Sequence, residues 1–237
     1  MCIITTINPY GNFDAQKEAI SSWTSKFPVY SVNTKLEIEI AKPLYPDVKF
    51  IETDNTFQYN KKTLIKLSAI LQSAKQIDSN FIAIINSDII LSDKIKDIFI
   101  NKYLNDGIII GTRWELDESK SEIYPFKSGY DIFIFSKKYI DLFNNIKYVI
   151  GLPWWDFYIP LIAIKSGLNV YHIKNKVIFH RTHTTNYDDE VWIKFGEFLY
   201  QDIMVSLMKN NMNIGLLDFC RGTKSFIEKK QIDIKLK

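Results

Sequence analysis

The chain has 237 residues, 46% hydrophobic, 24% charged and 14% aromatic, with 30 basic side chains against 27 acidic ones and a formal net charge of +3. Nine Gly, seven Pro and no biased tract or internal repeat exclude a disordered or linker-rich polypeptide. They predict one folded α/β domain over residues 1–220 and a basic tail over 221–237. So small and evenly spread a charge is not the footprint of a duplex binder, and no nucleic-acid partner is expected.

The elements follow in chain order. The β-branched run Cys2–Ile7, closed by Asn8-Pro9-Tyr10-Gly11, predicts a buried first strand. Ala15, Ala19, Ile20 and Trp23 recur at helical spacing over Asp14–Trp23, and Pro28 precedes a strand at Val29–Val32. A strand at Val48–Glu52, a helix over Lys62–Lys75 and a buried strand at Phe81–Ile85 continue the alternation. Strands separated by helices imply a mostly parallel, Rossmann-like sheet flanked by helices. The second half reads as mixed. It has a helix around Ser92–Leu104, strands at Gly107–Gly111 and Asp131–Phe135, and a polar loop Asp117–Ser128 between them. A helix from Trp155 to Lys165, capped by Asp156 and ended by Gly167, precedes strands at Val170–Ile173 and Val177–Phe179 and a helix over Phe195–Met208. The basic segment Arg221–Lys237 reads as a solvated, partly frayed terminus, with peripheral contact to an anionic membrane as the alternative. No apolar run approaches the ~20 residues of a spanning helix and no secretory leader is expected. Cys2 and Cys220, in no metal or redox spacing, fit a reducing, cytoplasmic setting.

Three segments carry chemistry. In Phe81–Ile85 followed by Asn86-Ser87-Asp88, an apolar strand delivers a carboxylate at its carboxyl end, the edge where open α/β sheets bind ligands. Asp88 there suits a divalent cation bridging phosphates, or alternatively an Asx turn. Pro153-Trp154-Trp155-Asp156 puts two indoles beside a carboxylate. That composition matches sugar stacking with a general base, or alternatively two core tryptophans and a helix cap. His180 and His183 follow an apolar strand, where an extended backbone turns only one of them toward a common site.

In order along the chain, Thr5-Thr6-Ile7-Asn8, Asn86-Ser87-Asp88, Gly111-Thr112-Arg113-Trp114-Glu115-Leu116-Asp117, Gly129-Tyr130-Asp131, Gly151-Leu152-Pro153-Trp154-Trp155-Asp156 and His180-Arg181-Thr182-His183 resemble the GT-A nucleotide-sugar glycosyltransferases. The likeness is to small family-2-like bacterial and viral members with Asn-Ser-Asp in place of Asp-x-Asp. The resemblance implies that Thr5, Thr6, Asn8 and Asn33 line a nucleotide pocket with Asn86, Ser87 and Asp88. It implies that Arg113 binds diphosphate or a loop carboxylate, with Glu115 and Asp117 as its partners, and that Asp131, Trp154 and Trp155 meet sugar. It implies a metal shell of Asp88 with His183, or with His180 as alternative or support. Mn2+ or Mg2+ is the expected cofactor, although Asn86 leaves the motif one carboxylate short. Lys61 and Lys62, opening the expected helix, are a candidate phosphate contact or a solvated pair.

The expected activity is transfer of a sugar from a nucleotide-diphosphate donor to a hydroxyl of a carbohydrate or glycoconjugate acceptor, with inversion and with Asp156 as base. The rivals are a sugar nucleotidyltransferase, for which no Gly-rich phosphate loop exists, and a non-catalytic carbohydrate-binding relative.

Overall fold

The computed structural model describes residues 1–11, 13–98, 101–117, 122–183, 189–207 and 215–234. In chain order the strands of the main sheet are β1 (Cys2–Thr5), β2 (Val29–Asn33), β3 (Val48–Glu52), β6 (Phe81–Ile85), β8 (Gly107–Gly111), β11 (Ile132–Ser136), β12 (Asn169–Ile173) and β14 (Ile232–Ile234). Between β3 and β6 lie β4 (Thr56–Tyr59) and β5 (Lys62–Ile65); β7 (Ile89–Leu91), β9 (Trp114–Asp117), β10 (Glu122–Pro125) and β13 (Ile178–Arg181) make up the remaining strands among the described residues. The helices are α1 (Phe13–Thr24), α2 (Lys35–Ala41), α3 (Leu67–Gln76), α4 (Asn101–Asp106), α5 (Trp155–Lys165), α6 (Asp189–Leu207) and α7 (Leu216–Lys230).

The eight-stranded sheet runs β14-β12-β8-β11-β6-β1-β2-β3, parallel throughout except for β11, which is antiparallel to both neighbours. Its strands are continuous apolar runs because both faces are covered. Ile82 and Ile84 join Phe133, Phe135, Ile108 and Ile110 in a core with α3, α5, α6 and α7. Ala83 and Ile85 face the other way, with Ile109, Ile132 and Ile134, onto α1, α2 and β7. Each fully buried isoleucine of these layers contributes roughly 1.5–3 kcal/mol through apolar burial.

β1 has β2 on one side and β6 on the other, so the chain reverses its direction of travel across the sheet between β1 and β6. That reversal opens the crevice at the carboxyl ends of β1 and β6 in which such sheets hold ligands. A second sheet, β10-β9-β13-β7, stands at this edge.

Several local expectations are corrected. Residues 56–65, partly assigned to a helix opening at Lys62, form a β4–β5 hairpin before α3 begins at Leu67. Asn60 and Lys61 adopt φ of 47° and 62°, the left-handed pair of a two-residue hairpin turn, and Phe57 sits opposite Leu64. Lys61 and Lys62 therefore belong to an exposed hairpin end and not to a helix N-terminus. The helix read over Ser92–Leu104 is a 3-10 segment at Asp93–Ile98 and the short α4. The Asp117–Ser128 loop contains the β9–β10 pairing. Helix α2 had a local signature in Thr34-Lys35-Leu36-Glu37, a capping box in which Thr34 and Glu37 satisfy each other's backbone groups. Residues 221–234, expected as a frayed terminus, are the second half of α7 and a strand that pairs with β12; residues 235–237 and Met208 at the end of the last expected helix lie outside the described residues. No described helix is long and apolar enough to cross a membrane.

Candidate active site

The site is assembled by the register of the smaller sheet. β7 begins one residue after Asp88, and its Ile89 pairs with His180 of β13, which pairs on its other side with Glu115 of β9. Three residues far apart in sequence are thereby brought side by side. His180 Nδ1 lies 2.8 Å from Glu115 Oε2 and its Nε2 lies 3.4 Å from Asp88 Oδ2. His183 also reaches Asp88, Nε2 to Oδ2 at 3.2 Å, with the two rings 4.8 Å apart. The expectation that only one histidine would face the site assumed a strand through residue 183. β13 ends at Arg181, so His183 escapes the alternation and both imidazoles converge.

These groups set one another's charge. Burial would raise the Asp88 carboxyl, but hydrogen bonds from His180 and His183, and their charge, outweigh it and hold the group well below the carboxylate range. Burial pulls His180 down, yet its hydrogen bonds to Asp88 and Glu115 bring it up to about 9; an ion held at Nε2 would displace the proton there and leave the one on Nδ1 facing Glu115. Glu115, although buried, is held at about 2 by the hydrogen bonds from His180 and Arg113.

The chain of charges continues inward. Arg113 Nε donates to Glu115 Oε1 at 2.7 Å and its Nη1 to Asp131 Oδ1 at 2.6 Å, while the guanidinium stacks 3.8 Å above the Phe126 ring centroid. Of the partners expected for Arg113, Glu115 is the observed one; Asp117 is buried in β9. Asp131, at the amino end of antiparallel β11, is 2% exposed, and its Oδ2 has no hydrogen-bond partner among the described residues. Burial raises its carboxyl, Arg113 opposes that, and the charge of Asp88 raises it further.

Asp156 stands in the first turn of α5, within the electrostatic influence of Asp131. Burial first, and then the charge of Asp131, push Asp156 up to about 7, against the backbone N–H groups of Tyr130, Asp156 and Phe157 that favour its ionised form. A Cβ added to Gly129 would stand 2.6 Å from Asp156 Oδ2, so any larger residue here would force this carboxylate to shift. Asp131 is thus within the electrostatic reach of both Asp88 and Asp156.

The residues expected to line a nucleotide pocket divide. Asn86, Ser87 and Asp88 stand at the crevice, partly open to solvent. Asn8 is exposed and its side chain accepts from the Tyr10 N–H. Thr6 is half-buried. Thr5 and Asn33, however, are enclosed and do not line an open pocket. Thr5 donates to the Ile85 carbonyl across the sheet at 2.7 Å, and Asn33 bonds Ser31, Ile7 and Glu37. Their hydroxyl and amide groups knit strand ends together. Gln16, which sequence reasoning missed, clasps the Asn8 backbone through both amide atoms at 2.9 and 3.0 Å and accepts from Ser87 at 3.0 Å, bridging the two loops of the crevice. Its signal was a polar residue on the buried face of α1, between Ala15 and Ala19.

Trp154 and Trp155 are not exposed stacking platforms: each is 3% exposed. Trp155 packs edge-on to Phe133 of the sheet, and Trp154 lies against Trp192 and donates from its indole to the Trp192 carbonyl at 2.8 Å. Between Asp156 and Lys165, α5 is apolar on every face, so it lies within the core. Nor does Asp156 cap α5: the N-cap is Trp154, in the left-handed region at φ 80°.

Asp88, His180 and His183 offer ligand atoms that all lie within 4.8 Å of one another. One carboxylate and two imidazoles, one of them oriented by a carboxylate on its other nitrogen, form a donor set suited to a divalent ion.

No protein-family model matches the sequence, and no curated protein matches it. The architecture, a mixed α/β fold with a large mostly parallel sheet flanked by helices, is similar to that of a glycosyltransferase. That glycosyltransferase is S. aureus TarS. Its residues 1–349 in complex with UDP-GlcNAc match at a TM-score of 0.59 and 12% identity, over 97% of this chain and 71% of that one. The complex of the same residues with UDP matches at 0.52 and 11%, over 96% and 71%. A further TarS structure matches at 0.52 and 12%, over 97% of this chain and 42% of that one.

Proposed function

We propose that this chain is a GT-A glycosyltransferase that transfers a sugar from a nucleotide-diphosphate donor to a hydroxyl of a carbohydrate or glycoconjugate acceptor, with inversion. The observation that carries this reading is the gathering of Asp88, His180 and His183 at the carboxyl end of β6, where ligand atoms from all three lie within 4.8 Å of one another. The similarity to a protein captured with UDP and UDP-GlcNAc supports the class of donor.

In this reading the diphosphate lies at the Asn86–Asp88 edge, where Asp88, His180 and His183 would hold Mn2+ or Mg2+. The two imidazoles favour manganese, since magnesium prefers oxygen ligands. When bound, such an ion would supply charge compensation for the leaving diphosphate. Glu115 would keep the proton on His180 Nδ1 and leave Nε2 as the nitrogen available to a metal. Arg113 holds Asp131, whose enclosed carboxylate contributes charge to the site without being open to a ligand. Asp156, ionised, takes the acceptor's proton as its oxygen attacks the anomeric carbon from the face opposite the diphosphate. A midpoint near 7 suits a base that must accept a proton and release it each turnover.

Incubation of the purified chain with nucleotide-sugars and manganese tests this. Release of nucleoside diphosphate with formation of a glycoside or free sugar is expected. Pyrophosphate released from a nucleoside triphosphate and a sugar phosphate would point to nucleotidyl transfer, and glycan binding without donor turnover to the non-catalytic reading.

A further inference from the structure

The segment that reads in sequence as a basic tail returns to the site. Lys224 of α7 donates its ammonium to the Lys127 carbonyl, lies 5.8 Å from the Tyr130 ring centroid and pairs with Glu228 at 3.8 Å. Its side chain is 21% exposed. The stretch it grips, Lys127–Asp131, carries Gly129 against the Asp156 carboxylate and ends in Asp131.

We propose that Lys224 is a positioning residue for Asp156: it pins the loop that presses on this carboxylate and places a fixed positive charge beside it. The inference rests on the role of Asp156 in the reading above. The groups that act on Asp156 come from every side. They are the Asp156 and Phe157 amides of α5, the Tyr130 amide and Asp131 at the head of β11, and Lys224 on α7; Arg113 is bonded in turn to Asp131, and Glu228 is paired with Lys224. Burial depresses Lys224, while the negative charges of Glu228, Asp156 and Asp131 sustain its protonation. The converse is that the ammonium sustains the ionised form of Asp156, which burial and Asp131 oppose. The two roles separate chemically. A glutamine at this position keeps an N–H for the Lys127 carbonyl and loses the charge, whereas an arginine keeps both.

The test is a carbon-13 NMR titration of aspartate-labelled protein without substrate, with the Asp156 signal assigned by its loss in Asp156→Asn. Lys224→Gln is expected to raise the Asp156 midpoint by about one pH unit, and Lys224→Arg to leave it near the parent value. A midpoint unmoved in folded Lys224→Gln overturns the proposal, as does an equal shift in Lys224→Arg. The acid limb of kcat/KM is expected to move in parallel. Because the titration needs no turnover, a chain that transfers no sugar yet shows the shift would overturn the functional reading and leave the Lys224–Asp156 coupling standing.

Discussion

Glu115 Oε2 lies 2.8 Å from His180 Nδ1, and the opposite nitrogen of the same ring faces Asp88. One imidazole is thereby oriented by a buried carboxylate behind it and presented to a solvent-facing carboxylate in front. Glu115 itself is held by Arg113, so the orientation is enforced by a chain of buried charge running from the smaller sheet to β11.

Glu115→Gln removes the charge that fixes this ring. Manganese affinity, measured by electron paramagnetic resonance of the free ion, is expected to fall 10- to 100-fold, the range found when groups that orient metal-binding histidines are removed. Unchanged affinity would exclude His180 as a ligand.

Asp156→Asn is expected to lower kcat by about 10²- to 10⁴-fold with nucleoside-diphosphate binding intact. In the parent, kcat/KM should rise tenfold per pH unit on the acid side and level off above about 7, because the base works only when ionised. A rate independent of pH between 5 and 8 would remove the assignment.

The same substitution has a signed effect on stability. The folded-state midpoint of Asp156, about 7, lies above the usual carboxylate value, so the native state retains a proton that the unfolded state has released. This contribution is present below pH ~4 and is lost as pH rises through 7. Asn mimics the protonated carboxyl. Asp156→Asn should therefore match the parent near pH 4 and be more stable at pH 8, by about 1–3 kcal/mol in denaturant unfolding. Equal stability of the two proteins at pH 8 would contradict the displaced midpoint.

Gly129→Ala drives a methyl group to 2.6 Å from Asp156 Oδ2. Turnover is expected to drop at least tenfold as the carboxylate is displaced, with thermal unfolding still cooperative. Full activity would show that the position of this carboxylate is not critical.

Trp154→Ala tests whether the tryptophans are core or sugar platform. Loss of a buried indole and its bond to Trp192 should cost about 3–5 kcal/mol of unfolding free energy. A variant as stable as the parent but weaker for the donor sugar would restore the stacking role.

The central strands were legible because burial on both faces leaves uninterrupted apolar runs: the bounds expected at Val48–Glu52, Phe81–Ile85 and Gly107–Gly111 agree with the structure. The β4–β5 hairpin was not, because Leu64 continues the helical spacing of Leu67, Ile70 and Leu71, and the Asn60-Lys61 turn carries no glycine to interrupt it. At the site, Asp88 and the histidines announced themselves through local sequence. The grip of Glu115 on His180 and the span of Gln16 across two loops depend on pairings between distant strands, which no local pattern encodes. Composition likewise cannot tell an exposed indole from a core one. What buried Trp154 and Trp155 was the closure of α6 and the sheet around α5.

The most direct test of the central claim is a crystal structure with a nucleotide-sugar and manganese, located by its anomalous scattering. The account predicts one manganese peak between Asp88, His180, His183 and the diphosphate, with the anomeric carbon between that ion and Asp156. A peak remote from Asp88, or a donor whose sugar points away from Asp156, would contradict it.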